Sequence, residues 1–339
     1  MAQSRVAKRK AHKKKPMNRF AKITLLTFLA LFVVTGGAFA YVMYKVSNIA
    51  SGAQQELGRG DRSELRDNVV NPIKDPVSVL FLGLDSRDGD LSGRTDAMVL
   101  ATFNPDENTI KMLNIPRDSR VELAGRGTMD KINHAHAFGG LDMTIATVEN
   151  LFDIPVDYFV SLNFDAFMDI IDELGGVTVD SPMTFTEKDN GTYGTITIQE
   201  GEQRLNGQEA LAYVRMRKSD PRGDLGRGER QKEVIESIIR EAASFSSITR
   251  FGPVMDAVGK NLKTNLSFNN LMSMHSYASK LNEVESLQLQ GENAMINRIY
   301  YYQLNPQSVI EISETFQRHL NIIEDDPIIN QEEENVESW

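Results

Sequence analysis

Apolar and polar positions along the chain fall into three regimes. Residues 23–44 run for 22 positions without a charge, between Lys22 and Lys45. As a helix this run is about 33 Å long, enough to cross a bilayer core, and it predicts one transmembrane segment. Residues 45–75 are polar and carry several glycines, the pattern of a stalk or linker. From residue 76 onward short apolar runs alternate with helical spacings. The run at 77–84 (VSVLFLGL) is almost continuously apolar, as expected of a strand covered on both faces. Strands are expected at 97–103 and 109–115, joined by the turn-forming residues 104–108 into a hairpin. Helical spacing follows over 131–152, closed by Pro155. A strand is expected at 157–162, then a helix over 164–174 that stops at Gly175-Gly176, and a short strand at 177–179. Residues 184–198 read as a hairpin turning at Asn190-Gly191. Further helices are expected at 207–214, 227–243, 248–262, 268–281 and 307–320, and strands at 284–289 and 299–304. This alternation predicts an α/β domain with a central mixed sheet over 76–323. Residues 324–339 contain seven acids and read as a solvated tail.

Charge gives the apolar run its direction. The net charge is −10, but residues 1–22 hold nine of the 37 basic residues and no acid. The remainder has 28 bases against 47 acids, a net of −19. The positive-inside rule then places residues 1–22 in the cytoplasm and the acidic body outside, with 23–44 as an uncleaved signal anchor. Ala38-Phe39-Ala40 resembles a signal-peptidase site and leaves a cleaved leader as the alternative. An acidic body speaks against nucleic acid as a partner. The absence of cysteine removes disulfide, thiolate-metal and Cys-nucleophile chemistry. Arg59-Gly60-Asp61 spells an adhesion tripeptide, too short a match to carry weight.

Familiar nucleophile, nucleotide and zinc motifs are missing, and the five histidines are not spaced as a metal site. Arginine and aspartate carry the signal instead. Asp85 and Arg117 each follow the last apolar residue of an expected strand. Asp96 sits at the start of another, where an antiparallel return sets it beside Asp85. Two neighbouring carboxylates without Cys or His partners suit a hard cation such as Mg²⁺. Between 215 and 231 there are six bases and three acids, a local excess of +3 inside the acidic body. Arg215 and Arg217 have strand spacing. Arg227, Arg230 and Gln231 have i, i+3, i+4 spacing at a helix start, whose free N–H groups also favour an anion. Several guanidinium groups on one ligand make a pyrophosphate clamp. The plain alternative is that these arginines pair with surface acids.

These residues resemble the extracytoplasmic domain of the LytR-CpsA-Psr (LCP) family. The shared segments are GLDSR (83–87), GRTDAM (93–98), NIPRDS (114–119), KINHAHAFGG (131–140), LNFDAF (162–167), DELGGV (172–177) and YVRMRKSDPRGDLGRGERQ (213–231). The resemblance implies a central, mostly antiparallel sheet covered by helices, with an apolar pocket for a lipid tail. It also implies a membrane-anchored phosphotransferase of the teichoic acid transferase type at the outer face of a Gram-positive membrane. The donor would be a polyprenyl-pyrophosphate-linked glycopolymer, and the acceptor the C6 hydroxyl of N-acetylmuramic acid in peptidoglycan. By the same resemblance Asp85 and Asp96 hold Mg²⁺ (or Mn²⁺), and Arg117, Arg215, Arg217, Arg227 and Gln231 hold pyrophosphate oxygens. Arg94, Lys131 and Arg230 match motif positions at the same ligand. Arg117, Arg215, Arg217 and Asp96 form the expected catalytic set. The same parts suit a polyprenyl-pyrophosphate hydrolase, and a non-catalytic wall-binding or regulatory membrane protein is the remaining alternative.

Overall fold

The computed structural model describes residues 54–86, 91–188, 194–244, 261–267, 270 and 283–324. The expected span at 23–44, the hairpin turn at 190–191, nearly all of the expected helices at 248–262 and 268–281, and residues 325–339 lie outside the described residues. No helix among the described residues is long and apolar enough to cross a membrane.

A six-stranded sheet organises the domain. It contains β1 (Val77–Leu84), β2 (Thr95–Asn104), β3 (Thr109–Asn114), β6 (Tyr158–Asn163), β11 (Leu262–Thr264) and β12 (Glu283–Gln288), in the order β11-β6-β1-β2-β3-β12. β1–β2, β2–β3 and β6–β11 are antiparallel, whereas β1–β6 and β3–β12 are parallel. The central strands are apolar on both faces because both faces are covered. Leu80, Leu82, Met98, Leu100, Leu113 and Ile115 point to one side. There they meet α1 (His134–Phe152), through Leu141, Ile145, Val148 and Phe152, and α5 (Pro306–His319), through Ile312 and Phe316. Val77, Val79, Val99, Ala101, Ile110 and Met112 point to the other side. That side is covered by α4 (Asp224–Ser244).

A satellite core stands beside the sheet. It joins α2 (Phe164–Glu173), α3 (Gly207–Arg215), β7 (Val177–Ser181), β8 (Phe185–Lys188), β9 (Thr195–Ile198) and β10 (Gly201–Leu205) around Ile171, Val177, Leu205 and Tyr213. Asn163 caps α2, and Asn206 with Glu209 forms a capping box on α3. β4 (Arg120–Leu123) pairs with β5 (Thr128–Lys131), and β13 (Gly291–Ile296) with β14 (Ile299–Leu304).

Three expectations change. Helix α1 starts at His134 rather than 131, because Thr128–Lys131 pairs with β4 as a strand. Residues 54–75 are not a free stalk. Leu57 enters the main core, Arg59 binds Glu149 at 2.5 Å and the Val156 carbonyl at 2.6 Å, and Arg66 binds Asp157 at 2.8 Å. The adhesion-like tripeptide is therefore a structural contact. The arms of the 184–198 hairpin form β8 and β9 as expected, and the unanticipated β4, β10 and β13 are short strands of four, five and six residues. His319 is a satisfied core residue between Thr102 (2.7 Å) and Thr109 (2.9 Å). Burial, then the nearby Lys111, pushes its pKa down to about 4, so it is neutral at pH 7.

Candidate active site

A cavity of about 1180 Å³ opens between the sheet and the satellite core. Its floor is the α4-facing side of the sheet, with Phe81, Val99, Val160 and Leu162. Phe167 and Ile170 of α2 form one wall. The opposite wall is one face of α4. Arg227, Gln231, Ile235 and Ile239 follow each other at i, i+4 steps, and all four line the cavity. A single helix face therefore grades from cation to amide to aliphatic along its length. Two glycines bring this helix close. A Cβ on Gly226 would lie 1.9 Å from Asp220 Oδ2, and one on Gly228 would lie 2.2 Å from Asn114 Nδ2 at the end of β3. A side chain at Gly228 would have to displace Asn114 where the helix starts beside the strand that leads to Arg117.

Cations gather at the mouth. Arg117, in the loop after β3, Arg215, Arg217 and Arg227 line the cavity together with Asp96 and Gln231. Arg215 ends α3, and Met216 then turns extended (ψ 129°) into the core, so Arg215 and Arg217 both reach the cavity. The Arg215 guanidinium lies 4.8 Å from the Phe164 ring centre. Asp96 gets there by a bulge. Gly83 pairs with Ala97 and Leu84 with Thr95, which leaves Asp96 as the extra residue of β2 and re-aims its side chain. Arg117 Nη1 donates to Asp96 Oδ1 at 2.5 Å. Asp224, in the first turn of α4, pairs with Arg227 at 2.7 Å and Arg217 at 3.1 Å. Burial opposes the charge on Arg117, but Asp96, then Asp118 and Asp224, outweigh it and raise its pKa. Arg227 is the reverse case. Burial lowers its pKa, Asp224 and Asp96 only partly offset this, and Arg117 and Arg217 add repulsion.

A second, polar compartment of about 420 Å³ shares the Asp96–Arg117 pair with this cavity. Asp85, Arg94, Asp118, Lys131 and Asn133 complete its lining. Lys131 Nζ is 2.7 Å from Asp118 and sits 5.7 Å and 5.8 Å from the Tyr300 and Tyr301 ring centres. His136 Nδ1 donates to the Gly93 carbonyl at 2.8 Å, which fixes the loop carrying Arg94. Asp85 is exposed and makes no ion pair or hydrogen bond among the described residues.

This pairing of a cation-ringed apolar cavity with a polar annex can be set against known proteins. Residues 40–318 match the LytR_cpsA_psr family. The chain belongs to that family. The polyisoprenyl-teichoic acid–peptidoglycan teichoic acid transferase TagU of Bacillus subtilis (strain 168) is 44% identical over 301 residues, 88% of this chain and 95% of TagU. A solved structure described as TagT bound to LIIa-WTA superposes with a TM-score of 0.68 at 42% identity, covering 79% of this chain and 99% of that one. Another, the LytR-CPS2A-psr family protein YwtF (TagT) with bound octaprenyl pyrophosphate lipid, gives 0.64 at 39%, with 79% and 99% coverage.

In this LytR_cpsA_psr chain the structure brings together Asp96, Arg117, Arg215, Arg217, Arg227 and Gln231 at the cavity, and Asp85, Arg94 and Lys131 at the annex. Arg230 is a correction. It lines neither space, is 2% exposed, and is consumed by Asp220 Oδ2 (2.6 Å), the Tyr213 carbonyl (3.1 Å) and the Met216 carbonyl. Its helix position, 300° on from Arg227, turns it into the core while Gln231 returns to the cavity. Sequence reasoning passed over Asp118, Asp224 and Asn133. All three stood inside quoted motifs, but only the aspartates, through their pairing with Lys131 and Arg227, had a readable signal in charge. Asn133 offered none.

Proposed function

We propose that this chain is a membrane-anchored phosphotransferase that moves an anionic glycopolymer, of the wall teichoic acid kind, from a polyprenyl-pyrophosphate carrier to peptidoglycan. The observation that carries this reading is the graded face Arg227–Gln231–Ile235–Ile239, which suits an amphiphile with an anionic head and an aliphatic tail. The prenyl chain occupies the apolar cavity and the pyrophosphate lies under Arg117, Arg215, Arg217 and Arg227. Phosphoryl transfer needs positioning and charge neutralisation more than a covalent nucleophile. The acceptor hydroxyl oxygen attacks the phosphorus that bears the polymer. The bond from that phosphorus to the bridging oxygen breaks, and the electron pair leaves with lipid monophosphate. The hydroxyl proton passes to a carboxylate or to water. The arginines hold the oxygens on which negative charge accumulates.

Asp85 and Asp96 line one compartment, and Mg²⁺ takes one or two carboxylates and completes its shell with substrate phosphates and water. Asp85 and Asp96 would hold Mg²⁺ or Mn²⁺, which when bound supplies positive charge at the pyrophosphate. The acceptor is the C6 hydroxyl of N-acetylmuramic acid. Residues 23–44 anchor the chain with residues 1–22 in the cytoplasm and the site outside, a topology supported by the charge split of the sequence.

Full-length protein in detergent, given lipid-pyrophosphate-linked polymer, glycan strands and Mg²⁺, should form a phosphodiester between polymer and glycan. Chelation with EDTA should stop the reaction, and Mg²⁺ or Mn²⁺ should restore it. Unchanged rates in both Arg117→Ala and Arg215→Ala would place the clamp elsewhere. Release of lipid monophosphate with no polymer on the glycan would make the chain a hydrolase.

A further inference from the structure

We propose that the polar annex is the acceptor subsite, and that the side-chain carbonyl of Asn133 positions the incoming sugar hydroxyl. The inference deepens the proposed transfer and rests on it. In-line displacement puts the attacking and leaving oxygens on opposite sides of phosphorus. The leaving lipid phosphate belongs to the large cavity, since its tail needs the apolar floor. The attacking hydroxyl must then arrive from across the Asp96–Arg117 pair, and the annex of about 420 Å³ is the space there. That volume is within the range of small-molecule sites.

What the annex offers a hydroxyl is narrow. Its cations are donors only, so they cannot receive an O–H. Asp96 and Asp118 are already engaged by Arg117 and Lys131, and Asp85, the remaining carboxylate of the annex, is given to the Mg²⁺ of the proposed function. Asn133 is different. It is 5% exposed, lines the annex, and its Oδ1 has no hydrogen-bond partner. It precedes α1, yet its side chain does not cap that helix. A buried amide oxygen left unpaired costs free energy, and native structures satisfy nearly all such groups. Its backbone N–H is bound to the Arg117 carbonyl at 3.2 Å, which ties Asn133 directly to the residue that holds the pyrophosphate. A neutral acceptor can orient the hydroxyl without adding negative charge beside an anionic donor. On this reading Asn133 is a positioning residue and takes no proton: Oδ1 receives the O–H as the acceptor docks and sets an oxygen lone pair toward phosphorus, and the hydroxyl then turns its proton to a carboxylate or water, which takes it as the P–O bond forms.

The test separates acceptor from donor. In the full-length protein, Asn133→Ala should raise the KM for glycan acceptor about tenfold, the effect of one lost hydrogen bond. The Kd for a radiolabelled polyprenyl-pyrophosphate disaccharide and the Tm should stay at wild-type values. Asn133→Asp, which keeps an oxygen at the same reach, should bring the acceptor KM back toward wild type. If Asn133→Ala does not fold, Asn133→Gln moves the oxygen by one methylene and should show the same selective rise. An unchanged acceptor KM, or an equal rise in donor Kd, overturns the assignment. A wild-type protein that transfers nothing overturns the proposed function and this inference with it. Transfer by wild type with all Asn133 variants unaffected overturns this inference alone.

Discussion

The two faces of α4 take the same residue type to opposite ends. Arg230, with Val234 and Ser237 on its side of the helix, faces the core, where one carboxylate and two carbonyls consume its donors. Arg227, three residues earlier, is also largely buried, but its surroundings are Asp224 and, less closely, Asp96, set against two further arginines. Buried charge on one face is closed by the protein's own acceptors. On the other face it is left under-compensated and in like-charged company, which is the state that an anionic ligand relieves. What marks the site is therefore the balance of partners around each arginine, not the number of arginines.

The largest effect expected from breaking this contrast is on the closed face. Asp220 and Arg230 are 0% and 2% exposed in their side chains. Asp220→Ala leaves the guanidinium buried without its counter-charge, which should cost about 3–5 kcal/mol of stability. Urea denaturation measures this, and donor binding per folded molecule should not change. Burial works against the Asp220 charge, but Arg230 and Arg222 outweigh it and hold its pKa below the ordinary 3.8. A carboxylate lowered on folding stabilises above its unfolded pKa and ceases to as pH falls through its folded value. The gap between wild type and Asp220→Ala should therefore be full at pH 6 and narrow below about pH 4. A loss under about 1 kcal/mol, the level of a surface pair, would mean the lock is not one.

Much of the frame was legible because it is written in local chemistry. The runs at 77–84, 97–103 and 109–115 are apolar on both faces, and the structure covers both. Asp85 and Asp96 line one compartment because β1 and β2 run antiparallel with Leu84 opposite Thr95, the hairpin-like return that the strand ends implied. Other features depend on distant partners and left no local trace. Val234, Ile235, Ile238 and Ile239 look alike in sequence, yet Val234 belongs to the core while the isoleucines line the cavity. Arg59 and Arg66 find their carboxylates 90 and 91 residues away, so a polar segment that packs read as a stalk. The bulge that aims Asp96 is a matter of register, which composition does not encode.

On the open face, Arg227→Ala should behave in the reverse way to Asp220→Ala. Loss of one pre-set cation at the reacting phosphate should lower kcat by about 10²–10³-fold. Stability should hold or rise, because the variant removes repulsion with Arg117 and Arg217 along with the Asp224 pair. Arg227→Lys should recover only part of the rate, since a point charge does not reproduce the planar fork. Paired kcat and Tm measurements decide the matter. A fall in both together would make Arg227 a second structural arginine and dissolve the contrast.

The smallest effect sharpens the comparison along the open face rather than across the helix. Ile239 stands three turns beyond Arg227 and lines the cavity. If this end holds prenyl methylenes, Ile239→Asn exchanges apolar contact for an amide without a partner and should weaken a long-chain donor by about 1.5 kcal/mol, roughly tenfold in KM. A donor whose prenyl chain is too short to reach this end should be indifferent to the substitution. The two donors share a head group, so the difference between them cancels any change at the arginines. Equal weakening of both would show that Ile239 supports the helix, and the aliphatic half of the graded face would then be core, as Val234 is.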